Sequence, residues 1–277
     1  MSSQAIKRLF RSMEASVQTL LGNRPRLPVT PHQLPLIKLG SDYGGWTYAE
    51  MPNLRGATVI SCGLGEDASF DVEFAARYGA RVVVADPTPR AIRHFELLKA
   101  HTGAKATSSY TRSGAQPIGA YDLSKITADS LALYPKALWN ESKPVDFFLP
   151  ADASHVSHSI VNFQNEYRTD TASITVHAVP LDILMRDLRL TAVPLLKLDI
   201  EGAEIEVILD MLAKRIFPDQ VLVEFDELSA PSKRSKERIQ SAHEALVRNG
   251  YCLVNFDHPA NCLYTRPAQS RQYCIRE

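Results

Sequence analysis

The stretch Val59-Ile-Ser-Cys-Gly-Leu-Gly-Glu-Asp-Ala68, followed by Val82-Val-Val-Ala-Asp86, decides the fold. It reads as a strand, a glycine turn, a helix and a second strand ending in a carboxylate. Gly63 lets the chain leave the first strand tightly, Gly65 lets backbone approach a ligand with no Cβ in the way, and Ala68 is small enough for a helix to pack on the strand. The pattern predicts a site for a nucleotide-like cofactor, with Asp86 accepting hydrogen bonds from the hydroxyls of a ribose. Dinucleotide enzymes and adenosylmethionine enzymes share G-x-G-x-x-A, so the residues between the glycines carry the distinction. A pyrophosphate needs free N–H groups and the positive end of a helix dipole. Glu66 and Asp67 stand at that mouth and would repel it, whereas S-adenosylmethionine offers an ammonium and a sulfonium for carboxylates to face. Either residue alone also serves as a helix cap.

Composition narrows the classes. The chain has 277 residues, of which 45% are hydrophobic, enough for one large α/β domain with extensions. Its formal net charge of +0 implies no general pull toward nucleic acid. The cysteines Cys62, Cys252, Cys262 and Cys274 form no C-x-x-C and no zinc spacing, so no metal site is expected and reduced thiols in the cytoplasm are the simplest account. No apolar run approaches the ~18 residues of a membrane span, and no apolar segment follows the start as in a secretion signal.

Working outward, Ile6, Leu9, Phe10, Met13, Val17, Leu20 and Leu21 recur at helical spacing and predict an amphipathic helix. Packing on the main domain or on a second subunit, as in a homodimer, suits it better than a membrane-surface role. Arg24 to Pro35 holds four prolines and reads as a linker, which places the N-terminal extension at residues 1–39 and the main domain at residues 40–277. Asp42-Tyr-Gly-Gly-Trp46 reads as a turn whose aromatic plugs a hydrophobic gap or lies over the cofactor mouth.

From Thr58 strands and helices alternate: strand 58–62, helix 68–78, strand 81–86, helix 90–100, a polar loop region over 103–129 and strand 131–134. In a doubly wound sheet the loop after the third strand encloses an adenine, so Ala137, Leu138 and Trp139 are expected neighbours of the base. They equally suit a core. The second strong motif is Leu195-Leu-Lys-Leu-Asp-Ile-Glu-Gly-Ala-Glu204, a buried strand that ends in Asp199 and turns at Gly202 into a helix running to Leu212. Its acids reach the sheet edge where the first motif also ends, and that edge binds ligands in open α/β sheets. A strand over 220–225, a helix to Asn249, and strands over 251–256 and 262–265 complete the chain. The closing antiparallel hairpin suits a Rossmann-like, class I methyltransferase sheet, mostly parallel and doubly wound, better than a dehydrogenase domain.

Together these segments resemble the FkbM-type methyltransferases, a branch of the class I S-adenosylmethionine-dependent enzymes. The resemblance rests chiefly on Lys197-Leu-Asp-Ile-Glu-Gly-Ala-Glu204, with Cys62-Gly-Leu-Gly-Glu-Asp67, Asp86-Pro-Thr-Pro89 and Val221-Leu-Val-Glu-Phe225 in order around it, and it covers about Gly40 to Phe256. The turn departs from the common D-x-G-A-N form, with Ser61-Cys62-Gly63 and Leu64-Gly65 instead. The resemblance implies S-adenosyl-L-methionine as cofactor and O-methylation of a small molecule, sugar or glycan. Cys62, Gly63, Leu64, Gly65, Glu66, Asp67, Asp86, Pro87, Thr88, Ala137, Leu138 and Asp199 are the expected cofactor neighbours.

A third cluster, Ala151-Asp-Ala-Ser-His-Val-Ser-His-Ser-Ile160, lies where class I enzymes insert acceptor-binding elements. A hydroxyl is a poor nucleophile at neutral pH and gains from a base, and histidine titrates in the useful range. His158, then His155, are expected as bases in competition with Asp199, while Ser157 and Glu201 join the two histidines in binding the acceptor. Local backbone hydrogen bonding is the alternative for these loop residues. Two other function classes follow from the same residues. A non-catalytic adenosylmethionine-binding protein needs no base, and an NAD-dependent oxidoreductase uses the same glycine turn.

Overall fold

The computed structural model describes residues 22–148, 171–229, 231–257 and 260–266. The N-terminal segment read as an amphipathic helix, residues 6–21, lies outside them. Two short strands, β1 (Leu36–Leu39) and β2 (Trp46–Ala49), pair antiparallel across residues 40–45. The chain then alternates through β3 (Thr58–Cys62), α1 (Ser69–Tyr78), β4 (Arg81–Ala85), α2 (Pro89–Ala100) and β5 (Leu131–Tyr134). A second group follows: β6 (Ala137–Leu138), β7 (Lys143–Phe148), β8 (Ser173–Val179) and α3 (Leu181–Asp187). The last elements are β9 (Leu195–Leu198), α4 (Glu204–Ala213), β10 (Gln220–Glu224), α5 (Lys233–Arg248), β11 (Cys252–Asp257) and β12 (Asn261–Thr265).

The main sheet has the order β11-β12-β10-β9-β3-β4-β5. The five strands from β10 to β5 run parallel, and β12 pairs antiparallel with both β10 and β11. Alternate residues of each strand enter opposite cores, as a pleat of period two requires. Ile60, Val83, Leu196 and Val223 face one core with Ile208 of α4 and Leu246 of α5. Val59, Val82, Leu195 and Leu222 face the other with Phe74 of α1 and Leu98 of α2. Helix starts and stops have local causes. Thr88 accepts from the Ala91 N–H with Pro89 in the first turn, Ser232 and Ser235 form a capping box for α5, and Gly79 ends α1 in the left-handed region at φ 59°.

Three features differ from the sequence expectations. The hairpin of β1 and β2 straddles the expected boundary at 39/40, because Leu36, Ile37 and Leu39 pack against the core of α1 and its sheet face. The proline-rich stretch is not a free linker. Thr30 N donates to Leu253 O at 2.7 Å and His32 Nε2 lies 2.7 Å from Val254 O, so groups between the prolines fasten it to β11. Ala137 and Leu138, expected in a loop, form β6 in a separate sheet of order β6-β8-β7. Short strands closed by distant partners carry little local signal.

Candidate functional site

A cavity of about 490 Å³ lies across the carboxyl ends of β4, β3, β9 and β10. Its centre is the glycine turn. Gly63 has φ +85°, and a Cβ built there would stand 1.7 Å from Asp199 O, so only glycine lets the exits of β3 and β9 touch. Asp199 N donates to Cys62 O at 3.1 Å across the same junction. Asp86, at the end of β4, holds the turn from the other side. Its Oδ2 accepts from Leu64 N at 2.9 Å and Gly65 N at 3.1 Å, and its Oδ1 accepts from Thr88 N at 2.9 Å and Thr88 Oγ1 at 2.7 Å. A carboxylate has about four acceptor positions. All are occupied internally, so Asp86, itself a cavity-lining residue, also sets the shape of the turn.

Glu66 and Asp67 do not stand as a free pair at the helix mouth. Glu66 Oε2 is 2.6 Å from Arg90 Nη2, a contact that offsets its charge. Asp67 takes the alternative role: its Oδ1 accepts from Ser69 N at 2.9 Å, and its Oδ2 accepts from Ser41 Oγ at 2.6 Å and Gln116 Nε2 at 3.0 Å. It therefore knots three loops together. Cys62 is a further correction, since its side chain is fully buried in the core and does not line the cavity, and burial raises its thiol far above the usual range.

Charge concentrates at the β9 and β10 end. Lys197 is 3% exposed, with Nζ 2.8 Å from Gly63 O, 3.2 Å from Asp199 Oδ2 and 5.3 Å from the centre of the Trp46 ring. Burial lowers its pKa, but Asp199 and Asp71 outweigh this and the net shift is upward. Glu201 follows in the left-handed region at φ 54°, an uncommon conformation for a residue with a side chain. Glu204 turns back to accept from Ile200 N at 2.8 Å and Gly202 N at 2.9 Å, closing the loop that presents Asp199 and Glu201. Glu224 lines the cavity beside them, and burial followed by repulsion from Asp199 and Glu201 pushes its carboxyl up to about 8.

The turn between β1 and β2 roofs this arrangement. Gly45 has no room for a Cβ, which would lie 2.4 Å from Ser41 O, and Ser41 N donates to Ser69 Oγ at 2.7 Å. Tyr43 is held with its ring against Gly114, whose Cβ would come within 2.8 Å of the ring. Trp46 is buried at the floor beneath Lys197, so Tyr43 is the aromatic over the mouth and Trp46 the plug. At the other end Ala137, Leu138 and Phe147 form an apolar wall, while Trp139 packs away from the cavity. Pro87, Thr88, Asp199 and Glu201 also line the cavity. His155, Ser157 and His158 lie outside the described residues.

The family model for the methyltransferase FkbM domain matches residues 47–251. The chain belongs to the FkbM methyltransferase family. The matched span begins inside β2 and ends just before β11, so the family region contains the glycine turn, Asp86, the Lys197–Glu204 segment and Glu224. No curated protein and no solved structure matches the chain. Among the described residues no helix is long and apolar enough to cross a membrane, and no three His, Cys, Asp or Glu side chains are grouped to hold a metal.

Lys197, Glu224, Asp71 and Phe147 are cavity residues that sequence reasoning did not assign a role. Only Lys197 and Glu224 carried a signal, as charges inside otherwise apolar strands. Phe147 reaches the site through the pairing of β7 with β8, a contact between chain segments that no local pattern announces.

Proposed function

We propose that this methyltransferase uses S-adenosylmethionine to methylate a hydroxyl of a small molecule, sugar or glycan, on a class I sheet. The observation that carries this is the two-ended cavity: an apolar wall of Ala137, Leu138 and Phe147 at one end, and Asp199, Glu201 and Glu224 at the other. A flat base suits the first, and a cation suits the second. A volume of about 490 Å³ falls within the range of small-molecule and cofactor sites. The glycine turn supplies a surface with no side chain at Gly63 and Gly65, against which a ligand's middle can lie.

When bound, the cofactor supplies an electrophilic methyl group, and the chain's own residues align and shield the reaction. Lys197 fixes the Asp199 carboxylate at the strand end, so Asp199 is held ready to orient a cationic ligand group. Tyr43 limits water entry from above. Asp86 sets the N–H groups of the turn and thereby the floor under the ribose. The segment with His155, Ser157 and His158, outside the described residues, is assigned to the acceptor as a source of polar contacts. Such chemistry suits a cytoplasmic enzyme, and a homodimer through the N-terminal segment remains part of the proposal.

Titration calorimetry with S-adenosylmethionine, S-adenosylhomocysteine and NAD tests the assignment. Binding of the first two and not of NAD is the expected result. NAD binding without adenosylmethionine binding overturns it.

A further inference from the structure

We propose that Glu224, at the carboxyl end of β10, takes the proton of the acceptor hydroxyl, and that the positive charge of bound S-adenosylmethionine first drives Glu224's own proton off. The inference rests on the S-adenosylmethionine assignment above and adds to it the identity and the arming of the base.

Topology places the residue. β10 runs parallel to β9 with Val223 opposite Leu198, so Glu224 and Asp199 leave adjacent strands side by side. Their internal bonding differs. Asp199 is held by Lys197 at 3.2 Å, and Lys197 is itself anchored on Gly63 O. Among the described residues no hydrogen bond or ion pair reaches the Glu224 carboxylate, although it lines the cavity. Glu224 is half-buried and its oxygens open into the cavity, so their partner is whatever occupies it, water or ligand.

The end of the cavity it occupies is the reacting end. Strands in a sheet lie about 4.8 Å apart, so the ends of β4, β3, β9 and β10 span roughly 14 Å. With the base on the apolar wall beyond β4, the methyl donor extends across Gly63 toward β9 and β10. Glu224 therefore lies on the side from which an acceptor approaches. The acceptor oxygen bonds the methyl carbon as the carbon–sulfur bond breaks, the electron pair of that bond stays on sulfur, and the hydroxyl proton moves to a Glu224 oxygen. Charge balances: a cation and a carboxylate enter, and a neutral thioether and a carboxylic acid remain.

Every charged neighbour of Glu224 bears on its proton. Asp199 and Glu201, from the turn after β9, disfavour its charged form, and Lys197 on β9 favours it. Asp226, just beyond β10, is itself shifted well upward by burial and its acidic neighbours, and Tyr43 above feels the same carboxylates. Asn261 faces Glu224 across the β10–β12 ladder as a neutral amide. Burial and the repulsion of Asp199 and Glu201 together raise Glu224 to about 8, which favours its protonated form near neutrality. An opposite charge within about 4–6 Å lowers a carboxyl by 1–3 units, which leaves a base near the working pH, where proton acceptance is most effective.

Calorimetry of the full chain at pH 7.5 in buffers of different ionisation enthalpy reads the released proton. S-adenosylmethionine is expected to release a measurable fraction of a proton per site. S-adenosylhomocysteine, neutral at sulfur, releases much less. Glu224→Gln abolishes the difference and weakens S-adenosylmethionine more than S-adenosylhomocysteine, by about threefold or more at pH 7.5, and Glu224→Asp restores both. Should the glutamine variant not fold, the wild-type protein alone still reports: the affinity ratio of S-adenosylmethionine to S-adenosylhomocysteine rises with pH and levels off above about 8. Equal release with both ligands, release that persists in the folded glutamine variant, or a pH-independent ratio overturns the proposal and leaves the cofactor assignment standing. Failure to bind either ligand overturns both.

Discussion

Asp86 illustrates how one cavity-lining side chain can also hold the backbone that shapes the cavity. A carboxylate at the end of the second parallel strand suggests a ribose contact, yet here it accepts from Leu64, Gly65 and Thr88. Asp86→Ala strands these donors in a nearly buried place and is expected to cost about 2–4 kcal/mol of stability, since hydrogen bonds to charged groups each contribute about 1.5–3 kcal/mol. Urea denaturation checks this, and an unchanged midpoint would remove Asp86 from the support of the turn. Gly63→Ala is expected to be harsher for the site. Its Cβ would lie 1.7 Å from Asp199 O, so β3 and β9 must separate and adenosylmethionine binding should be lost in the calorimeter.

At the scale of elements, the roof is joined to the floor by buried polar ties as well as by apolar packing. Gln220, buried in β10, accepts from Ala49 N at 3.0 Å and donates to Ala49 O at 3.1 Å, which fixes the β1–β2 hairpin on the main sheet. Ser41, Asp67 and Gln116 then tie the hairpin turn to the start of α1 and to the 103–129 loop. Gly114→Ala brings a Cβ within 2.8 Å of the Tyr43 ring and is expected to displace it, weakening cofactor affinity several-fold. The effect should vanish in a Tyr43→Ala background, and a double-mutant cycle measures that coupling. Additive losses would mean that Gly114 acts elsewhere. By contrast Ser232→Ala breaks only the capping box of α5, so about 1 kcal/mol of stability is lost with affinity unchanged.

For the whole molecule, the gathering of carboxyls under one sheet edge sets a pH dependence. Burial raises Asp71 to about 6 and Glu224 to about 8, with Glu204 and Asp226 also shifted upward. Between its unfolded and folded pKa such an acid binds more protons in the folded state, so stability falls as pH rises through that interval. The window is about 4–6 for Asp71 and about 4.5–8 for Glu224. Melting temperature without ligand should therefore decline from about pH 6.5 to pH 8, and less steeply in Glu224→Gln. His94 and His243, lowered by burial, act the opposite way below about pH 6.5, so the test is the slope from pH 6.5 to 8, where a rise would overturn the raised folded-state carboxyl values.

The parallel core and its chemistry-bearing ends are written in local pattern. Thr58–Cys62 and Leu131–Tyr134 have the expected limits, and Gly63 and Asp199 meet at the expected edge, because period-two burial, glycine turns and strand-end acids are local properties of the chain. Which charges have partners depends on how the strands come together in space. Glu66 and Glu224 look alike as carboxylates near strand ends, but Arg90 lies within 2.6 Å of one, while the other faces Asp199 across a register set between strands. The hairpin that carries Tyr43 and the small sheet that carries Phe147 likewise depend on partners far along the chain. Coulomb interactions and hydrogen bonds act over a few ångströms of space rather than of sequence, so the partner of a charge appears only once the strands have found their neighbours.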